Sequence, residues 1–413
     1  MADLSAIVRD VTTTAVAGGV TAPLGFTSAA LHSGIKARAG ALDLTIVAAA
    51  EPVPAAGLFT TNLAQAAPVL VSKEHLQRSG GVARAMVINS GCANACTGAQ
   101  GMDDAARMAT EVATALGCSP DQVLVASTGV IGVNLKMDKV VGGIRTAVPA
   151  LARGRGSDTA QAIMTTDPFP KEHAVKVETP RGAFLVGGTA KGSGMIEPNM
   201  ATMIGMLTTD ARVSPALLRQ ALLESARDTF NAITVDGECS TNDTLFAMAS
   251  GSSGVDIDDD GYPLLVEAFL AVSRPLAIDI VRGGEGATKL IAVAVHDART
   301  RDDARQVART IANSPLVKTA VHGADPNWGR IVAAAGRSGV QFDVQRATVH
   351  VGDVLLFEHG LPHDDAAPRA AEHMKGKDVR IDVNLGTGGG VAATIWTCDL
   401  TAEYVRINGE YRT

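Results

Sequence analysis

Apolar and polar positions along the chain switch between two periods. Ala85 to Asn89 is a short apolar run of extended type, Met102 to Leu116 repeats its apolar residues at helical spacing, and Val123 to Ser127 is extended again. That succession is an α/β rhythm. The first helix carries Asp103 at its start and Gly117 just past its end, the expected cap signals. A second opens at Ser214 with Pro215 in its first turn, and Leu217, Leu218, Leu222 and Phe230 suit one buried face. A third is predicted near Tyr262 to Leu276. After Lys289 the rhythm resumes, with strands at Leu290 to Val295, Val379 to Val383 and Val391 to Thr397, and a helix over Asp302 to Ala312. No repeat or low-complexity linker interrupts it.

Composition sharpens this picture. At 413 residues the chain exceeds one ordinary core, so two or more packed units are expected. The hydrophobic fraction is 46% but the aromatic fraction 3%, so the layers must be built mainly from Ala, Val, Leu, Ile and Met. The longest apolar runs stop well short of the roughly 20 residues of a membrane span, and Met1 to Val20 lacks the basic-then-apolar order of a signal peptide. A cytoplasmic protein is expected. Five cysteines (Cys92, Cys96, Cys118, Cys239, Cys398) are an odd number for so long a chain and read as reduced, small core residues. With 36 basic and 43 acidic residues the net charge is -7, and no stretch gathers Lys and Arg on one face, which argues against nucleic acid.

Glycine punctuation is heavy, and three Gly-rich segments invite a phosphate-binding reading: Gly187 to Gly194, Gly283 to Lys289 and Gly386 to Gly390. None fits. Lys191 and Lys289 are out of frame for a Walker loop. The third segment has only 22 residues after Val391, too few for the rest of a dinucleotide-binding unit, and tight turns are the better reading. His359 and His363, with Asp364 and Asp365, have the spacing of metal ligands on a helix, but Gly360 and Pro362 between them predict a solvated loop. No metal and no cofactor are expected. A G-x-S-x-G elbow with a Ser-His-Asp order is also missing.

The segment Lys191-Gly-Ser-Gly-Met-Ile-Glu-Pro-Asn-Met-Ala-Thr-Met is, on its residues alone, a glycine-rich turn feeding an apolar strand that begins at Ala201. It closely resembles the ornithine acetyltransferase family, also called glutamate N-acetyltransferases. The resemblance spans nearly the whole chain through further blocks: Ile88-Asn-Ser-Gly-Cys-Ala-Asn-Ala-Cys-Thr-Gly, Ala126-Ser-Thr-Gly-Val-Ile-Gly, Ile163-Met-Thr-Thr-Asp, Gly284-Glu-Gly-Ala-Thr-Lys, Asp325-Pro-Asn-Trp-Gly-Arg, Trp396-Thr-Cys-Asp-Leu-Thr and the ending Ile407-Asn-Gly-Glu-Tyr-Arg-Thr. Two positions depart from the family pattern. Cys92 stands where many relatives carry Asn, and Pro168 where many carry Thr.

The resemblance implies that the chain cuts itself between Ala201 and Thr202, into an alpha chain (1–201) and a beta chain (202–413) that begins with the nucleophile. The freed α-amino group of Thr202, with an ordinary pKa of about 7.7 to 8.0, then serves as the base for its own hydroxyl. It further implies acetyl transfer from N-acetylornithine to glutamate through acetyl-Thr202, with Thr128 and Gly129 as the oxyanion hole. Substrate contacts carried over by position are Thr165, Lys191, Glu285, Asn408 and Thr413, besides Thr202. Acetyl-CoA is a further candidate donor substrate, the bifunctional form being expected. The implied fold is a layered α/β sandwich with inner β-sheets and outer helices, N-terminal-nucleophile-like, and the implied assembly is a heterotetramer of two alpha and two beta chains. A self-processing aminopeptidase or amidase, with water as acceptor, is the alternative within enzymes. A non-catalytic amino-acid-binding protein, which would stay uncut, is the alternative outside them.

Overall fold

A computed structural model describes residues 12–197 and 203–410. The elements run in chain order as β1 (Thr12–Ala15), β2 (Phe26–Leu31), β3 (Leu44–Phe59), α1 (Ala67–Arg78), β4 (Val82–Cys92), α2 (Gly98–Leu116), β5 (Val123–Val130), α3 (Met137–Ala147), α4 (Gly156–Ala162), β6 (Lys171–Thr179) and β7 (Gly182–Lys191). They continue as β8 (Ile204–Thr209), β9 (Arg212–Val213), α5 (Pro215–Arg227), β10 (Thr244–Ala249), β11 (Asp256–Ile257) and α6 (Tyr262–Arg282). The last third holds β12 (Leu290–Ala298), α7 (Arg301–Ala312), α8 (Pro315–His322), α9 (Trp328–Gly336), β13 (Thr348–Val351), β14 (Val354–Glu358), β15 (Leu361–Pro362), α10 (Ala367–Met374), β16 (Asp378–Asn384), β17 (Val391–Cys398) and α11 (Ala402–Glu410).

Side-chain parity along the strands assigns the layers. Successive residues of a strand face opposite ways. In β3, Ile46 and Ala48 meet Val71, Met108, Val112, Val140 and Ile144 of α1 to α3, whereas Val47 and Ala49 meet Phe26, Met206 and Phe246 on the other side. In β10 the same rule sends Leu245 and Ala247 to Leu218, Phe269 and Leu276 of α5 and α6, and Phe246 and Met248 to the shared interior. The result is helices, sheet, sheet, helices. The strands follow the order β1-β6-β7-β8-β10-β3-β4-β5, with β2 beside β3. The long β3 carries the chain from one half to the other, pairing with β2 and β4 through its first residues and with β10 through its last. A second sheet, β15-β14-β13-β16-β12-β17, packs Val293, Val295, Ile381 and Val383 against α7 to α9.

The α/β rhythm and the layered sandwich are therefore present, with three adjustments. Helix α2 starts at Gly98, a turn earlier than the acidic residues suggest, and Gly117 caps its end in the left-handed conformation. Helix α5 opens as expected, with the Ser214 side chain accepting from Leu217 N–H, but it ends at Arg227, so Phe230 is buried from a separate 3₁₀ turn. Helix α6 continues through Pro275 to Arg282. A proline removes one backbone donor, yet buried side chains both before and after it (Phe269, Val272, Leu276, Ile280) hold the helix together by packing. The glycine-rich loop before β17 is a set of turns, with Gly386, Gly388 and Gly390 at φ of 62°, 79° and 68°. Gly388 and Gly390 donate to the Asp297 carboxylate. His359 lies in the turn of the β14–β15 hairpin and His363 just after β15, with no helix between them. Cys92 and Cys398 are buried as expected, but Cys96 is exposed on a turn with φ of 55° and is not a core residue. Among the described residues no helix is long and apolar enough to cross a membrane.

Candidate functional site

The strand ends of the first sheet converge on one cavity of about 140 Å³. Parallel pairing of β4 with β5 sets Ser90 beside Thr128 and Gly91 beside Gly129 at its wall. Gly129 has φ of 131° and lies so close to the neighbouring strand that a Cβ there would press on the Gly91 carbonyl carbon and come within 2.6 Å of the Cys92 nitrogen. Only glycine satisfies both conditions.

Lys191 is the last residue of β7, paired with Ile204 at the start of β8. It is only 9% exposed, an interior cation. Its Nζ donates to Thr128 Oγ1 at 3.3 Å. Next to it, Asp167 accepts from Lys171 Nζ at 2.6 Å, Gly192 N–H at 2.8 Å and Thr165 N–H at 3.0 Å. Burial works to raise the Asp167 pKa, but the Lys191 and Lys171 ammoniums and the donated hydrogen bonds outweigh it and hold the carboxyl down at about 2. Burial pulls the Lys191 pKa below the ordinary lysine value, and Asp167 opposes that pull. Asp243, which also lines the cavity, is pushed well above the usual carboxylate range by burial, in spite of hydrogen bonds from Ser240 and Thr60.

The glycine-rich turn after Lys191 is pinned on both sides. Ser193 Oγ donates to Gly283 O at 2.7 Å, and Glu285 N–H donates to Ser193 O at 2.9 Å. This brings the Glu285 carboxylate so near Gly194 that a side chain there would collide with it. Met195 then adopts a left-handed φ of 55°, and the Asp236 carboxylate receives the N–H groups of Met195 and Ile196 at 2.7 and 2.8 Å. A left-handed non-glycine residue costs about 1–2 kcal/mol, which these bonds offset. From the far end of the chain, α11 folds over the opening. Asn408 Nδ2 donates to Glu285 Oε2 at 2.8 Å, and Tyr404 O–H donates to Asp236 Oδ2 at 3.2 Å.

The structure thus gathers Thr128, Gly129, Thr165, Lys191, Glu285 and Asn408 around one space, although they span residues 128 to 408 in sequence. Ala201, Thr202 and Thr413 lie outside the described residues. Met203, which follows Thr202, lines the cavity, and its carbonyl accepts from Thr244 N–H at 2.8 Å. Sequence reasoning passed over Asn242, Asp243 and Asp236. The available signal was the run Ser240-Thr-Asn-Asp, four polar residues leading directly into the wholly buried strand β10. Chemically, the walls offer a cation and a carboxylate, Lys191 and Glu285, which suits a zwitterionic amino acid. Hydroxyl and backbone donors stand at Thr128 and Gly129.

The profile of the ArgJ family matches residues 27–413. The chain is 50% identical over 404 residues, 96% of its own length and 99% of the relative's, to the arginine biosynthesis bifunctional protein ArgJ of Symbiobacterium thermophilum. It is 48% identical over 397 residues, 95% of this chain and 96% of the relative, to the protein of the same name from Chlorobaculum tepidum. A crystal structure of ornithine acetyltransferase complexed with ornithine, from Mycobacterium tuberculosis, shares 42% identity and covers 46% of this chain and 100% of its own, with a TM-score of 0.42.

Proposed function

Because this chain belongs to the ArgJ family, we propose that the cavity beside Met203 is where it carries out the acetyl transfer of arginine biosynthesis. The enzyme is a glutamate N-acetyltransferase with amino-acid N-acetyltransferase activity, and it moves the acetyl group of N-acetylornithine to glutamate, giving ornithine and N-acetylglutamate. Hydrolysis, with water as the acceptor, is the less favoured reading. The observation that carries the assignment of the site is the meeting of Thr128, Gly129, Lys191, Glu285 and Asn408 on the walls that Met203 completes.

In the reading proposed here, the peptide bond between Ala201 and Thr202 is cut by the Thr202 hydroxyl. Its oxygen attacks the Ala201 carbonyl, the C–N bond breaks to leave an ester and a free amine, and water hydrolyses the ester. The amine so released takes the hydroxyl proton when Thr202 next attacks, this time at the acetyl carbon of N-acetylornithine. Thr202 is one peptide step, about 3.8 Å between Cα atoms, from a residue on the cavity wall. The tetrahedral oxyanion receives the Thr128 hydroxyl and the Gly129 N–H, ornithine departs as a protonated amine, and the glutamate amine then attacks acetyl-Thr202 by the same route in reverse.

Burial and hydrogen bonding give the remaining residues distinct tasks. Lys191 presents a cation beside Thr128, near enough for an α-carboxylate. Glu285, its carboxylate steadied by Asn408, suits a substrate ammonium, with Thr165 on the same wall. Thr413 belongs to the tail beyond α11. Acetyl-CoA is the donor proposed for the second activity, and two alpha with two beta chains the proposed assembly. Incubation with N-acetylornithine, with and without glutamate, tests the transfer. Ornithine release should depend on glutamate, with N-acetylglutamate formed in equal amount, and equal release in both samples would refute it.

A further inference from the structure

Asn242 stands at the head of β10, 6% exposed, with each polar atom of its side chain engaged. Its Nδ2 donates to Ala93 O at 2.6 Å and to Ser127 O at 2.8 Å, while its Oδ1 accepts from Thr241 Oγ1 at 2.6 Å. The Ser127 carbonyl belongs to the peptide unit that ends in the Thr128 N–H, so fixing its direction fixes how Thr128 projects. Ala93, the other acceptor, donates its N–H to Val130 O at 2.9 Å. One amide therefore holds the carbonyls on both sides of the pair Thr128–Gly129, the first directly and the second through Ala93.

The same residue is locked to the neighbouring strand. Thr244, two positions on, donates its N–H to Met203 O and pairs with Ile204 in parallel register. Asn242 thus bridges two segments that no backbone ladder joins at this end of the sheet: the end of β5, with the oxyanion donors, and the start of β8, with the residue after Thr202. The side chain is chemically specific. Two donors and one acceptor are used, an aspartate would set a carboxylate against two carbonyl oxygens, and an apolar residue would leave both carbonyls buried and unpaired.

We propose that Asn242 is a positioning residue for the oxyanion hole, holding Thr128 and Gly129 at a fixed offset from the nucleophile on the adjoining strand. The inference rests on the acetyl-transfer reading above. Its effect falls on the transition state, in which the oxyanion exists, and not on the bound amino acid.

The test uses the full-length enzyme and Asn242→Asp, with two ligands whose affinities separate positioning from folding: ornithine, and the N-methylphosphonyl analogue of N-acetylornithine, which carries the tetrahedral oxygens. The expected result is a kcat lower by about 10²-fold and analogue affinity lower by a similar factor. KM and ornithine affinity should stay within about twofold. Activity is expressed per cut chain, the cut fraction being read by intact mass. Loss of ornithine affinity in step with analogue affinity, or a kcat equal to that of the wild type, overturns the proposal. If Asn242→Asp stays uncut, Thr241→Val decides, since without the bond to Oδ1 the amide is free to turn and its two donor bonds lose their fixed direction. It should lower kcat about fivefold with KM unchanged, and an unchanged kcat overturns the proposal. A wild-type enzyme that fails to transfer acetyl overturns the reaction itself, and the clamp with it.

Discussion

The ammonium of Lys191 and the hydroxyl of Thr128 are 3.3 Å apart, and an ammonium has only donors to offer. Thr128 Oγ1 accepts from it, so the hydroxyl proton of Thr128 is directed elsewhere and is free for an oxyanion. In the proposed oxyanion hole Lys191 thereby sets the polarity besides carrying charge. Lys191→Met should lower kcat for glutamate acetylation by about 10²-fold. The sign of the pH dependence follows from burial, which lowers the Lys191 pKa. Lys191 acts in its protonated form, so its contribution is full at low pH and is lost as pH rises through a value below an ordinary lysine's 10.5, giving the alkaline limb of the profile, while protonation of the proposed Thr202 amine base gives the acid limb. A pH–rate profile with the same alkaline limb in Lys191→Met would refute this role.

Asp167 gives a second pH prediction, this time for stability. Its folded-state pKa of about 2 lies below the unfolded value, so its stabilisation is complete above about pH 4 and is lost as pH falls towards 2. The amount is about 2–3 kcal/mol. Asp167→Asn removes the partner of Lys171, whose side chain is 0% exposed, and should cost about 3–5 kcal/mol at pH 7. Denaturant unfolding at pH 7 and pH 3 checks both statements: the gap between wild type and variant should narrow at the lower pH.

Gly129→Ala combines a disfavoured φ with a collision against Gly91 and Cys92. A stability loss of about 2–4 kcal/mol is expected, together with loss of nearly all activity, because the backbone can relieve the clash only by moving the N–H proposed to serve the oxyanion. Thermal unfolding and single-turnover acetylation measure the two effects separately.

The alternation of periods revealed the layered α/β architecture because it reports which face of each element meets a neighbour. It did not reveal that α6 runs through Pro275, since that depends on packing by residues such as Phe269 and Ile280 on either side of the proline. Lys191 shows the same limit for the site. A lone lysine at the end of a glycine-bearing strand has no periodic signature, and its burial is decided by Asp167 and Thr128, which are remote in sequence. Its selection, like that of Thr165, Glu285 and Asn408, came through family resemblance. Asn242 had no such guide, because its importance lies in two carbonyls, and every residue has one.

Asn408→Ala should leave stability within about 0.5 kcal/mol, since the helix around it is exposed, yet raise KM for N-acetylornithine about tenfold by releasing the Glu285 carboxylate. Steady-state kinetics with both substrates varied would show this. An unchanged KM would remove α11 from the site.

Thr202→Ala should yield one uncut, inactive chain by intact mass, where the proposed self-cleavage predicts two pieces of roughly equal length for the wild type. Two such pieces in the variant would sink the self-cleavage mechanism.

The strand order has a consequence for those two pieces. β8 and β10, from beyond the proposed cut, are inserted between β7 and β3, from before it, so the seam would run through the middle of a continuous hydrogen-bonded ladder. The halves would behave as a split protein whose fragments cannot part on dilution, only on unfolding. Expressed from separate genes, they should regain activity by folding together and not by mixing after each has folded.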